Sequence, residues 1–260
     1  MCSHIRFLST TIIATGLVVT LALTATAQDP HGHGADVEVA IEGGELVLST
    51  DIVEAEFGSA FPALGMNQFD DPGFLAEKEP PLGEPSVPDG AIFGFDVGLI
   101  DFSGTQRSLW FWDGTGAPSF GMAPHELEIA DPPSAQSIQI DGSAAATGFF
   151  FAQSDDQPGQ DELFDDHLVF SLVDNAGNDV AAPTAGIYLV KTTHKAELNG
   201  NAFAGSPELY WVAAVGVDEV VHEEAVDFVS EQFGLGIPEP TTAVLGLLAS
   251  MGLCAVRRRS

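Results

Sequence analysis

The strongest constraint on the fold is a series of short apolar segments separated by turns rich in glycine, proline and aspartate. Residues 37–41 alternate apolar and polar side chains, and residues 45–50 continue after a diglycine, which predicts a β-hairpin. Residues 168–173 and 185–192 are apolar enough for central strands. About eight to ten such strands follow one another without intervening helices, so a parallel α/β sheet is not expected. The sequence therefore predicts an all-β body with a β-sandwich or jelly-roll arrangement.

Two segments of the body depart from this pattern. Residues 221–233 place apolar side chains at helical spacing and are followed by glycines that would end a helix. Residues 58–90 contain many glycines, prolines and aspartates and have no period, which predicts a long loop around the sequence FDDPGF. We therefore expect a β body over residues 28–220 and a short helix with a linker over residues 221–236.

The first 27 residues have the organisation of a secretory signal peptide. Arg6 precedes an apolar run over residues 12–23, and the run closes with the small residues Ala25 and Ala27. This order of charge, apolar run and small-residue exit predicts cleavage by signal peptidase after Ala27. The alternative, a buried helix at the start of a globular domain, does not explain that order.

The C-terminal end is apolar and then basic. Residues 241–256 contain no charged side chain and are followed by three arginines. As a helix this run would be about 24 Å long, slightly shorter than the roughly 30 Å apolar core of a bilayer. The arginines would remain on the cytoplasmic side, so we expect a transmembrane helix with the body translocated.

This end of the chain has three parts in a fixed order. Before the apolar run stand Pro238, Glu239 and Pro240, and after it stand Arg257, Arg258 and Arg259. A Pro-Glu-Pro tripeptide, an apolar helix and an arginine cluster together resemble the PEP-CTERM sorting signal of bacterial exported proteins. The resemblance covers residues 237–260 and implies processing by an exosortase-type membrane protease. It also implies delivery to the cell envelope, the cell surface or the extracellular matrix, with transient or stable anchoring by the C-terminal helix.

The body between the two ends is strongly acidic. The chain carries 38 acidic and 8 basic side chains, a formal net charge of −30, and Arg6 and the three C-terminal arginines lie outside the body. Such a surface repels nucleic acids and anionic membranes, so no nucleic-acid partner is expected. It attracts cations. Solubility outside the cell is the simpler explanation of the charge, and zinc or calcium binding is the second.

Two histidines and an aspartate stand near the predicted mature N-terminus. His31 and His33 are separated by one glycine, and Asp36 follows. Two imidazoles at this spacing can bind one metal if the chain curls, and zinc accepts such nitrogen and oxygen ligands in sets of three or four. The alternative is a terminal segment whose histidines bind nothing.

A second cluster surrounds His167. Residues 154–170 hold six acidic side chains around this histidine. Carboxylates at this density can hold calcium through their oxygen atoms, although the order of an EF-hand loop is absent. Asp165 and His167 are two residues apart on a predicted strand, so both side chains are expected on one face as two ligands of a zinc or similar site. The alternative is a solvated acidic loop.

The body is also similar to a group of PEP-CTERM proteins from cyanobacteria and planctomycetes, some of which are under zinc-uptake regulation. The similarity rests on the segments HGHGADVEV, FDDPGF, WFWDGTGAPSF, FDDHLVFSL, AGIYLV, GSPELYWV and EEAVDFV. Members of the group carry a His-x-His pair where this chain has Asp165, Asp166 and His167. The group has no established enzymatic activity, so the resemblance implies little about mechanism.

No catalytic signature accompanies these features. The sequence contains no G-x-S-x-G, H-E-x-x-H or P-loop motif, and both cysteines, Cys2 and Cys254, lie in the terminal segments. We therefore expect a non-enzymatic exported surface or matrix protein that binds a divalent metal, zinc or calcium. The expected ligands are His31, His33, Asp36, Asp165 and His167.

Two other functions stay open at this point. One is a structural or adhesive module without a specific ligand. The other is a carbohydrate-binding module in which Trp110, Trp112 and Trp211 stack on sugars, although tryptophans in strand segments more often belong to the core.

Overall fold

A computed structural model describes residues 36–58, 65–78 and 86–235. β-strand is the predominant secondary structure of this part, and one helix closes it. In chain order the elements are β1 Val37–Glu42, β2 Glu45–Leu48, β3 Ile52–Glu56, β4 Gln68–Phe69, β5 Phe74–Glu77, β6 Ile92–Val97, β7 Ile100–Phe102, β8 Thr105–Arg107, β9 Leu109–Trp112, β10 Gly121–Met122, β11 Glu126–Asp131, β12 Gln136–Ile140, β13 Phe150–Gln153, β14 Glu162–Asp166, β15 Val169–Val173, β16 Gly186–Leu198, β17 Asn201–Ala202, β18 Glu208–Val215 and α1 Glu219–Phe233. The predicted all-β class is confirmed.

The largest sheet has eight strands and is built around β16, the longest strand described. On one side β16 pairs with β18 along most of its length. On the other side its first half pairs with β9 and its second half with β6. These pairs are antiparallel, whereas the edge strand β3 runs parallel to β18. The apolar run that predicted a central strand therefore forms the centre of this sheet.

Two four-stranded sheets accompany it. One has the order β14-β5-β1-β2 and the other has the order β12-β11-β15-β4, while β7 and β8 form a separate hairpin. The predicted hairpin of β1 and β2 is confirmed. Gly43 and Gly44 in its turn have φ values of 61° and 91°, a region of backbone space that favours glycine.

The large sheet is buried on both faces. Along β18, Trp211 faces a core shared by the three larger sheets, and Val212 faces a second core that includes α1. Along β16, Val190 belongs to the first core and Leu189 to the second. Because successive side chains of a strand point to opposite faces, a strand covered on both sides must be apolar throughout. This explains why these two strands read as continuous apolar runs.

Three expectations about local structure need correction. The segment 58–90 is not one long loop, since β4 and β5 lie within it and each pairs with a distant strand. The strand β3 was not expected at all. The helix begins at Glu219 rather than at residue 221, and it ends where Gly234 adopts a left-handed conformation with φ 65°.

The predicted signal peptide with Ala25 and Ala27, and the predicted sorting signal over residues 237–260, lie outside the described residues. Within residues 36–58, 65–78 and 86–235, no helix has the length and apolar character needed to cross a membrane.

Candidate metal site

Three of the five predicted ligands come together at one point of the surface. One carboxylate oxygen each from Asp36 and Asp165 and a ring nitrogen of His167 lie within 4.8 Å of one another. Nε2 of His167 is 3.2 Å from Oδ1 of Asp165 and 3.9 Å from Oδ1 of Asp36. The expectation that Asp165 and His167 share a face agrees with this geometry.

The first four-stranded sheet explains how residues so far apart in sequence meet. Its strand β5 lies between β1 and β14. Phe74 at the start of β5 is in register with Val37 of β1 on one side and with Asp166 of β14 on the other. Asp36 directly precedes β1, and His167 directly follows β14. Both residues therefore stand at the same end of the sheet.

A backbone hydrogen bond fixes the imidazole of His167. Its Nδ1 is 2.8 Å from the carbonyl oxygen of Asp70. A carbonyl oxygen only accepts, so Nδ1 carries a proton and donates it. In the neutral ring the free lone pair is then on Nε2, the atom that faces the two carboxylates. Metal-ligating histidines characteristically donate their other ring N–H to such a partner, which fixes both the tautomer and the ring orientation.

Gly73 supports both sides of the cluster. Its backbone N–H donates to Oδ1 of Asp36 at 2.8 Å. A Cβ at this position would lie 2.8 Å from Cε1, Nδ1 and Nε2 of His167, so the imidazole packs directly on the glycine. The FDDPGF segment thus orients two of the three side chains, one through the carbonyl of Asp70 and one through the amide of Gly73. Its sequence predicts only a loop, and nothing in its residue types indicates this role.

The site is negatively charged and partly open to solvent. Burial tends to lower the pKa of His167, but the hydrogen bond with Asp70 and the charges of Asp36, Asp165 and Asp71 outweigh it, and the net pKa is raised. Burial and then the charge of Asp36 raise the pKa of Asp71. The side chains of His167, Asp36 and Asp165 are 39, 27 and 44% exposed. A cation can therefore enter, and the carboxylates around it would stabilise its charge.

The other two predicted ligands, His31 and His33, lie outside the described residues. His33 is three residues before Asp36, and three extended residues span at most about 11 Å. The chain length therefore permits His33 to reach the cluster.

A second pair of carboxylates lies near the first cluster. Burial, and then the charge of Asp131, raise the pKa of Asp166 to about 6. Asp131 is buried, and neither of its carboxylate oxygens has a hydrogen-bond partner among the described residues. Asp131 is not among the predicted ligands.

The remaining described histidines have structural partners elsewhere. Nε2 of His125 is 3.0 Å from the hydroxyl of Thr184. His194 is fully buried, which lowers its pKa to about 3, and its Nε2 is 2.9 Å from the hydroxyl of Thr192. His222 donates from Nε2 to the carbonyl of Val212 at 2.8 Å. None of the three belongs to the His167 cluster.

The tryptophans are core residues. Trp110, Trp112 and Trp211 are 3, 2 and 1% exposed. Their rings are therefore not available for stacking on a sugar, and the carbohydrate-binding alternative loses the residues that suggested it.

Comparison with protein-family models, with curated proteins and with solved structures finds no match. What this chain does is therefore inferred from the chemistry of its side chains.

Proposed function

We propose that this chain is an exported, non-enzymatic protein of the cell surface or extracellular matrix, and that its acidic β body binds a divalent transition metal, zinc in the first place. The proposed ligands among the described residues are Asp36, Asp165 and His167. The observation that carries the proposal is the orientation of His167, whose Nδ1–H is held by the carbonyl of Asp70 while Nε2 faces two carboxylates.

The spacing of the donor atoms supports zinc. Zinc binds nitrogen and oxygen ligands at about 2.0–2.2 Å in tetrahedral geometry, so two of its ligand atoms are about 3.3–3.5 Å apart. The 3.2 Å between His167 and Asp165 is close to this spacing, and the 3.9 Å to Asp36 needs a shift of a few tenths of an ångström. A mixed imidazole and carboxylate set also suits zinc better than calcium, which prefers oxygen ligands.

Three ligands leave one position of a tetrahedral site to be filled. We propose that His33 or His31 fills it, or that water does. Cleavage after Ala27 would place His31 close to the new N-terminus. This part of the proposal is supported by the short chain distance from His33 to Asp36.

Export and sorting belong to the same proposal. We infer that signal peptidase cleaves after Ala27 and that an exosortase-type protease processes the chain near Pro238, Glu239 and Pro240. The β-sandwich or jelly-roll arrangement is proposed as well, supported by the single core that residues of three sheets share.

Zinc binding by the full-length chain tests the metal site. We expect the wild-type protein to retain zinc after buffer exchange. His167→Ala and Asp165→Asn should weaken zinc binding at least about 10-fold, measured by competition with a chromogenic chelator. Asp161→Asn is the matched control, because Asp161 belongs to the same acidic segment but not to the cluster. The proposal fails if wild type retains no zinc above background, or if His167→Ala binds as wild type does.

A structural role is the second candidate. The raised pKa of His167 favours an imidazolium paired with Asp165 and Asp36, and such an ion pair needs no metal. In that case the melting temperature of wild type would be the same with zinc and with chelator. His31→Ala and His33→Ala would also leave it unchanged under both conditions.

A further inference from the structure

An aromatic cleft lies beside α1, on the face of the large sheet that the second core covers. Its volume is about 380 Å³, which is within the range of pockets that bind small molecules. Phe102, Phe120 and Phe228 line the cleft, and the centroids of their stacked rings are 5.4–6.0 Å apart. The three rings pack against the second core but are only partly buried. Part of their aromatic surface therefore remains accessible.

Arg107 gives the cleft a positive charge. Its guanidinium lies 5.7 Å from the centroid of the Trp110 ring. The chain contains 38 acidic side chains, yet no aspartate or glutamate in the part that the structure describes lines this cleft. Ser103, Thr105 and Ser119 also line it and offer hydroxyl groups for hydrogen bonds. An apolar lining with a few polar groups is typical of a pocket for an organic ligand.

Arg107 differs from the other basic side chains of the body in having no acidic partner among the described residues. The three lysines each pair with a carboxylate: Lys78 with Asp156, Lys191 with Glu208 at 2.6 Å and Lys195 with Asp96 at 2.8 Å. A guanidinium presents a planar fork of N–H donors that matches the two oxygens of a carboxylate. The cleft is therefore complementary to a ligand that carries an anionic group.

We propose that this cleft binds a small organic anion in which a carboxylate is attached to an aromatic ring. The ring stacks on the accessible surface of Phe102, Phe120 and Phe228 in the offset or edge-on arrangements that aromatic pairs prefer. The carboxylate accepts paired hydrogen bonds from the guanidinium of Arg107. Inorganic phosphate or sulfate would use none of the aromatic surface, and a neutral aromatic compound would leave Arg107 without an anionic partner.

The cleft is separate from the metal cluster, and the proposal does not depend on zinc binding. Phe74, the neighbour of Gly73 in the metal cluster, belongs to the first core. Trp110 belongs to the second core, and the three phenylalanines of the cleft pack against that core. The large sheet lies between the two cores, so the two sites are on opposite sides of it.

Binding of 2-naphthoate to the full-length protein tests the proposal. At neutral pH, where this probe is ionised, we expect a Kd of about 10⁻⁴ M by isothermal titration calorimetry, an affinity within reach of a ligand of this size. Arg107→Gln should weaken binding at least about 10-fold, because it removes charge-assisted hydrogen bonds. Phe120→Leu keeps an apolar side chain but loses the ring, and it should weaken binding about 2- to 10-fold.

Two controls accompany these variants. In Lys195→Gln the lost ammonium also lies over an aromatic ring, 5.3 Å from the centroid of Phe150, but it is paired with Asp96. This variant should bind 2-naphthoate as wild type does. The neutral analogue 2-naphthalenemethanol should bind wild type at least about 10-fold more weakly than 2-naphthoate does, and Arg107→Gln should not change its affinity. Arg107 is partly exposed on the β7–β8 hairpin, so Arg107→Gln leaves both cores intact.

The proposal is overturned if wild type shows no binding at about 5 mM 2-naphthoate, well above the expected Kd. It is equally overturned if Arg107→Gln binds the probe as tightly as wild type does. Two further results would identify a different occupant and so contradict it. One is a dimer in analytical ultracentrifugation that Phe120→Leu dissociates, which would mean that a second copy fills the cleft. The other is tighter binding of 2-naphthoate by Glu239→Gln, which would mean that residues 236–240 of the chain itself compete for Arg107.

Discussion

Replacing Gly73 with alanine should weaken metal binding while leaving the protein folded. The added methyl would lie 2.8 Å from three ring atoms of His167, a separation that real Cβ atoms essentially never adopt, so the imidazole has to move. Moving the ring breaks the bond from Nδ1 to Asp70 and takes Nε2 away from the two carboxylates. Gly73 does not have a positive φ, so the substitution acts through contact rather than through backbone strain.

The loss of stability in Gly73→Ala depends on how freely the imidazole of His167 can move. The side chain of His167 is 39% exposed, so it can swing into solvent, and the cost to folding should be near the low end of overpacking, about 1 kcal/mol. That corresponds to a fall in melting temperature of roughly 2–4 °C for a domain of this size. Loss of the orienting partner of a metal ligand weakens metal affinity about 10- to 100-fold, which is about 1.4–2.7 kcal/mol of binding free energy.

Chelator competition for zinc and thermal unfolding of the same samples measure the two effects. Gly121→Ala is the matched control, because its added Cβ would meet only an ordinary contact of 3.9 Å and its φ is not positive. The reasoning is refuted if Gly73→Ala binds zinc as tightly as wild type does.

Three further predictions follow from the same structure. In chelator, the raised pKa of His167 stabilises the folded state below pH 6.5, and this contribution should be lost as the pH rises through the folded-state pKa; His167→Gln should flatten that slope in denaturant titrations. The contribution of His194 to stability depends on pH in the opposite direction. Its pKa is lowered to about 3, so the free energy of unfolding should fall as the pH drops below about 6.5, and His194→Gln should remove that loss. Phe170→Ala should destabilise the fold by about 3–5 kcal/mol in chemical denaturation. Phe170 is 1% exposed, and the centroid of its ring lies 4.5 Å from that of Phe69 and 4.6 Å from that of Trp211. The exposed control Phe150→Ala should destabilise the fold much less.

Local patterns predicted the elements that depend on local chemistry. Alternating side chains and a diglycine indicate β1 and β2. Helical spacing of apolar residues indicates α1, and a continuous apolar run indicates β16. The shared face of Asp165 and His167 follows from strand geometry alone, and so it too was predictable.

The rest depends on contacts between distant parts of the chain. The short strand β5 contains no clear period, and it forms because β1 and β14 flank it. The groups that orient the site are the carbonyl of Asp70 and the amide of Gly73. Every residue type has a backbone carbonyl, and all but proline have a backbone amide, so the sequence cannot indicate this role. The burial of Asp131 was predictable, since it follows Leu127 and Ile129 at the period of a strand, where a core residue is expected.

The most direct test of the metal site is the position of zinc in a crystal of the full-length protein, located by anomalous scattering at the zinc absorption edge. We predict a peak about 2.0–2.1 Å from Nε2 of His167 and about 2.0–2.2 Å from carboxylate oxygens of Asp165 and Asp36. Crystals grown in saturating zinc that contain no anomalous peak beside His167 would contradict it.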